Sequence, residues 1–158
     1  MVVGEQPGDT EDLAGRPFFG PAGQLLDTLL AEAELPRDRL WMTNAVKHFK
    51  HVPRGKKRIH ARPNMSEITQ CRWWLDQERT LLKPRLTLAL GATATTALTG
   101  RSAALGPRRG KVEDTANGPV LITIHPSYLL RLPDAGRAAE ERARLTEDLR
   151  QAKRLAAL

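Results

Sequence analysis

The chain has 158 residues, 41% hydrophobic and 27% charged, the proportions of a single globular domain long enough to bury a core. Twenty-five Lys and Arg against 18 Asp and Glu leave a net charge of +7, and with a pI near 10.2 this points to a polyanionic partner, nucleic acid before a membrane surface. No apolar run approaches the roughly eighteen residues of a membrane span and no basic-then-apolar leader opens the chain, so neither a membrane segment nor a secretory signal is expected; the lone Cys71 excludes an internal disulfide and suits a reducing cytoplasm.

In chain order, "MVVGEQPG" reads as the end of a buried strand running into a Gly/Pro turn. A central strand seldom starts at the first residue, so further residues upstream are expected. "PAGQLLDTLLAEAEL" places Leu25, Leu26, Leu29, Leu30 and Ala33 on one helical face behind Pro21. "RLWMTNAV" reads as a strand. Residues 47 to 64 then read as a loop carrying Lys47, Lys50, Arg54, Lys56, Lys57, Arg58 and Arg62, with no carboxylate between Asp38 and Glu67. Three of the four histidines (His48, His51, His60) fall in the same stretch.

"SEITQCRWWLDQERTLL" is the clearest helix, its apolar stripe marked by Ile68, Cys71, Leu75 and Leu82, with Asn64 or Ser66 as its cap and Trp73 and Trp74 expected in packing. "RLTLALG" reads as a buried strand and "ATATTALTG" as a short helix closed by Gly100. "RGKVEDTANGPVLITI" reads as a hairpin turning at Asn117-Gly118, "HPSYLLR" follows its second strand, and an amphipathic helix runs from about Arg137. Strands alternating with helices predict an α/β fold, a three-layer α/β/α sandwich with a mostly parallel central sheet. In such sheets function gathers at the strands' carboxyl ends. Four stretches lie there, "GEQPG", "TN" with the basic loop, "LGATA" and "HPS", and they should meet in one cleft.

These segments resemble the uracil-DNA glycosylase superfamily, in particular its iron–sulfur family 4 and the UdgX-type members. The resemblance rests on "GEQPGDTEDLAGRPFFGPAGQLLD", "TNAVKHF", "KKRIH", "LALGATA" and "HPSYLLR", in that order along nearly the whole chain. "GEQPG" with Gln6, "KHF" and a basic loop ending in "RIH" are the features similar to UdgX. The resemblance implies excision of uracil from DNA, preferentially single-stranded, followed by covalent capture of the sugar C1′ by the loop histidine, His60; a monomer in the cytoplasm is the default expectation. The alternatives are a conventional turnover glycosylase with His60 only steering DNA, and a non-catalytic binder of single-stranded nucleic acid.

A glycosylase must first take its base out of the stack. Phe18 then supplies a stacking face, matching the family's "GRPF", although a Phe pair is commonly core. Asn44 can pair with O4 and N3–H of uracil, with Gly4 and Gln6 beside it; a strand-ending Asn in a turn is the plainer reading. His125 can donate to uracil O2 as charge develops there. Glu5, with Gln6, can stabilise the sugar cation or orient a nucleophile, or simply cap the next segment. Lys56, Lys57, Arg58, Ser127 and Arg131 are expected on DNA phosphates. Basic surroundings are expected to keep His60 neutral and nucleophilic.

Family 4 members hold a [4Fe–4S] cluster on cysteines, two of them in a segment ahead of the first motif. By resemblance Cys71 matches one ligand position and His48 another; one Cys and one His do not hold a cluster alone.

Overall fold

Val2 and Val3 are both buried, yet they serve different halves of the core, because successive strand side chains point to opposite faces of a sheet. That alternation organises the whole molecule, seen in a computed structural model that describes residues 1–158. In chain order the first half comprises β1 (Val2–Gly4), α1 (Asp9–Ala14), α2 (Pro21–Glu32), β2 (Met42–Asn44), β3 (His51–Arg54), β4 (Lys57–His60) and α3 (Met65–Leu82). The second half comprises β5 (Thr87–Leu90), α4 (Ala92–Thr99), β6 (Val112–Thr115), β7 (Gly118–Thr123), α5 (Ser127–Arg131) and α6 (Ala135–Ala156).

Five strands form one sheet in the order β2-β1-β5-β7-β6. The first four run parallel, and β6 is antiparallel to β7 at the edge. On one face Val2, Leu88, Leu90 and Leu121 pack against Leu26, Leu29 and Leu30 of α2 and Leu145 and Leu149 of α6. Each such aliphatic side chain contributes about 2 kcal/mol by leaving water. On the other face Val3, Ala89, Val120 and Ile122 meet Ile68, Cys71 and Leu75 of α3 and Ala94, Ala97 and Leu98 of α4. This is the three-layer α/β/α arrangement that the strand and helix alternation predicts. No helix is long and apolar enough to cross a membrane.

Local chemistry explains the boundaries. Pro21 opens α2 behind Gly20. Asn64, not Ser66, caps α3 in a reciprocal capping box: its side chain accepts from Glu67 N–H, and the Glu67 carboxylate accepts from Asn64 N–H. Asp134 accepts from Arg137 N–H and starts α6 two residues ahead of Arg137. The apolar stripe of α3 ends sooner than its spacing suggests. Leu82 is exposed, and the buried position in the last turns belongs to Arg79. Its guanidinium donates to Thr115 Oγ1 (2.8 Å) and the Asn117 carbonyl (3.1 Å), tying the β6–β7 turn to the helix. That turn sits one residue earlier than expected, at Ala116-Asn117, because Gly118 already pairs with Thr115.

One element carries no sequence signal, and two expectations are corrected. Residues 9 to 14 form α1, too short to show a period. The basic stretch is not a featureless loop: His51–Arg54 and Lys57–His60 make an antiparallel hairpin, with Gly55 at φ 60° in its tip. Trp73 and Trp74 meet edge to face at 4.6 Å but are each 58% exposed, so they do not pack in the core.

Candidate active site

The carboxyl ends of the parallel strands open onto one cleft of about 960 Å³, within the size range of small-molecule sites. Glu5 and Gln6 follow β1, Asn44 ends β2, Thr93 lies in the first turn of α4 after β5, and His125 follows β7. His60 reaches the same cleft from the end of the hairpin. The four segments expected to converge do so.

Glu5 stands between two elements. Its Oε2 accepts from the buried Thr93 hydroxyl at 2.5 Å, and its Oε1 lies 2.9 Å from His60 Nε2. A carboxylate accepts, so the imidazole nitrogen facing it carries the proton. The charge beside His60 is therefore a carboxylate, contrary to the expectation of cationic surroundings. Thr93 was not singled out from the sequence; the small-residue turn directly after a buried strand was the available signal.

His125 is held in one tautomer. Ser127 N–H can only donate, and it points at His125 Nδ1 from 3.1 Å, so Nδ1 is the acceptor. The Ser127 hydroxyl donates to the same nitrogen at 2.8 Å, and Arg131 donates to that hydroxyl oxygen at 3.0 Å. The proton of the neutral ring is thus on Nε2, on the cleft side. Burial pushes the pKa of His125 down to about 4, with Arg131 and His60 adding to the effect against an opposing pull from Glu5. Ser127 and Arg131, expected on phosphates, are here the supports of this imidazole; Arg131 stays exposed at the mouth.

Phe18 is core, the plainer of the two readings weighed for it, and it also lines the cleft. It is buried within the α2-side core, and its ring lies near-parallel to the His125 ring at 6.3 Å, on the cleft wall. Its backbone is left-handed, φ 53°, unusual for a bulky residue. Arg37 donates to the carbonyls of Pro17 and Phe18 and holds the segment in place. A side chain at Gly4 would meet the Phe18 ring at 2.7 Å and Asn44 Oδ1 at 2.6 Å, so glycine is required behind these two cleft residues, though Gly4 itself does not line the cleft. Asn44 is buried beside it, and its side-chain amide lines the cleft without any protein hydrogen-bond partner. Its donor and acceptor are both available to a ligand.

Gln6 lines the cleft, and its side-chain amide is committed to backbone groups. Its amide donates to the carbonyls of Lys50 (3.1 Å) and Ala61 (3.2 Å), and its carbonyl accepts from Lys50 N–H (3.1 Å). Lys50 precedes the hairpin and Ala61 follows it, so Gln6 staples the neck of the element carrying His60. Arg58 is likewise drawn inward. It donates to Asp9 (2.6 Å) and Asp12 (2.7 Å) of α1 and lies over the Phe49 ring at 5.2 Å. Lys56 and Lys57 have no ion-pair partner and stay exposed, as does Arg62 at the cleft edge.

Cys71 and His48 are neighbours, as the resemblance implies, with Sγ 4.0 Å from Nδ1. The buried thiol accepts from Lys47 N–H, and His48 Nε2 faces Glu67 at 3.6 Å. No group of three or more His, Cys, Asp or Glu converges there. These residues do not make up an iron–sulfur site.

Comparison with known proteins agrees with this arrangement. The profile of the Uracil DNA glycosylase superfamily matches residues 1–150. The type-4 uracil-DNA glycosylase of Pyrobaculum aerophilum is 40% identical over 141 residues, covering 84% of this chain and 68% of that protein. The type-4 uracil-DNA glycosylase of Thermotoga maritima is 37% identical over 155 residues, covering 97% and 75%. That of Saccharolobus solfataricus is 31% identical over 150 residues, covering 89% and 66%.

Proposed function

The chain belongs to the uracil-DNA glycosylase superfamily, and we propose that it breaks the C1′–N1 bond of deoxyuridine in single-stranded DNA with Glu5 and His125 on opposite sides of that bond. The observation that carries this is a carboxylate and a neutral imidazole N–H sharing one cleft beside an unpartnered amide. A base turned into the cleft stacks on Phe18, and Asn44 donates to its O4 while accepting from N3–H. As the bond breaks, its electron pair moves onto the uracil ring and negative charge gathers at O2. The Nε2–H of His125 donates to it, worth most where water is excluded. Positive charge appears on the sugar, and the Glu5 carboxylate stabilises it.

Two fates of that cation are chemically complete. In turnover, a water adds to C1′ and gives its proton to Glu5. This reading agrees with the activity named for the type-4 relatives. In capture, His60 Nε2 adds to C1′ after its proton passes to Glu5, leaving a stable C–N bond. What favours capture as a second reading is the 2.9 Å separation of His60 Nε2 from Glu5, which sets the imidazole where a water would otherwise be activated.

A denaturing gel of the chain with uracil-containing single-stranded DNA, together with a free-uracil assay, tests both. Many uracils released per protein, with no heat-resistant complex, establishes turnover. A complex that survives heat and detergent, appears only with uracil and vanishes in His60→Ser while uracil release continues establishes capture. Release of no uracil and no complex overturns the proposal.

A further inference from the structure

The hairpin has two faces, and the cleft uses only one. The register pairs His51 with His60, Val52 with Ile59, Pro53 with Arg58 and Arg54 with Lys57. Paired residues share a face and alternate pairs change sides. Arg58 and His60 both point inward, to α1 and to Glu5. Val52, Ile59, Arg54 and Lys57 therefore stand together on the outer face. Val52 and Ile59 are 58% and 42% exposed, and neither Arg54 nor Lys57 has a carboxylate partner. A two-stranded ribbon rarely leaves a β-branched pair in water without a use, since the pair stabilises the hairpin fully only when covered.

We propose that this outer face is a platform for bases of single-stranded DNA flanking the target nucleotide, with Val52 and Ile59 beneath the bases and Arg54 and Lys57 on the phosphates. Two branched side chains with few rotamers make a stiff, flat apolar patch. The occupant must offer flat apolar surface alternating with negative charge, and it must tolerate a neighbourhood in which residues 39 to 66 contain no carboxylate. A single strand of nucleic acid has that chemistry; its bases lie on apolar or aromatic surface while its phosphates follow the cations. Lys56 in the hairpin tip extends the same cationic edge. The inference rests on the reading that the chain acts on DNA, and it adds a contact that holds undamaged bases outside the cleft.

The test is fluorescence anisotropy of a uracil-free single strand over a range of salt concentrations. Val52→Thr/Ile59→Thr keeps the β-branched shape and strand preference while making the patch polar. The double variant should bind roughly tenfold more weakly with an unchanged salt slope, because stacking is lost and no phosphate contact is. Lys57→Gln should instead lower the slope by about 0.7. Uracil release at saturating DNA should be unaltered in the double variant, and Val52→Thr alone, on the hairpin strand that carries no cleft residue, should show part of the same loss. Unchanged affinity in the double variant overturns the platform, as does a loss of binding traced by sedimentation to broken self-association. If the wild-type chain binds the single strand and the variant does not, while neither releases uracil, the platform stands and the glycosylase reading falls.

Discussion

The Thr93 hydroxyl donates to Glu5 Oε2 at 2.5 Å, which leaves Oε1 as the only oxygen of that carboxylate turned to the imidazole of His60. A buried hydroxyl thereby sets the direction in which a half-buried carboxylate acts. Thr93→Val preserves the shape and removes the donor. A hydrogen bond to a charged group contributes about 1.5–3 kcal/mol, so the single-turnover rate of uracil release should fall about ten- to a hundredfold. The melting temperature should fall by only some degrees, and Thr93→Ser should restore much of the rate. A rate unchanged in Thr93→Val would show that Glu5 needs no such support.

Gln6→Leu should loosen the hairpin at its root. The substitution deprives the Ala61 carbonyl and the Lys50 N–H of their Gln6 partner, while the Lys50 carbonyl keeps the Ala61 N–H, at about 1–3 kcal/mol for each buried group left unpaired. Hydrogen exchange of the amides from Val52 to His60 should quicken while that of β7 stays slow. Equal protection in both segments would contradict the staple.

Gly23→Ala should be among the most damaging small changes outside the cleft. Its Cβ would fall 2.0 Å from the Phe18 carbonyl oxygen, where the backbone is already left-handed and held by Arg37. Overpacking of this kind costs about 3 kcal/mol or more, and chemical denaturation would read it directly.

His125 makes stability depend on pH in a defined window. Its ordinary value is 6.5 and its folded value about 4, so between these the unfolded chain binds more protons and stability rises with pH. The contribution is intact above about pH 6.5 and is lost as pH falls towards 4, to a total of about 3 kcal/mol. Glu113 and Glu141, held low by Arg108 and Arg109, lose their contribution only further down, below the ordinary carboxylate range. Unfolding free energies from pH 4 to 7 for the wild type and His125→Gln would separate the two; parallel curves would refute the assignment.

The layered architecture was legible because burial leaves a period. Leu26, Leu29 and Leu30 repeat as a helix face, and "LTLALG" reads as a strand covered on both sides. The convergence of Glu5, Asn44, Thr93 and His125 followed from strand order, since parallel strands deliver their ends to one edge. What stayed hidden was pairing between distant charges. Nothing local to Arg58 says that its partners are Asp9 and Asp12, 49 and 46 positions away. Density of cations also masked the Val52–Ile59 alternation, so a hairpin read as a loop. Gln6 lines the cleft beside Glu5, but nothing local to it says that its amide is spent on the backbone of the hairpin neck.

The arm that carries His60 is fastened by two unlike means. At its root the amide of Gln6 grips neutral backbone groups, which dissolved ions leave untouched. Towards its tip Arg58 is clasped by Asp9 and Asp12 at the surface, a bond that salt weakens. Ionic strength therefore acts on this arm twice, once through the strand it meets and once through its own clasp. A rise in salt should free the outer end of the arm while its base, where His60 pairs with His51, stays fixed, so the cleft keeps its histidine in a medium that loosens the tip.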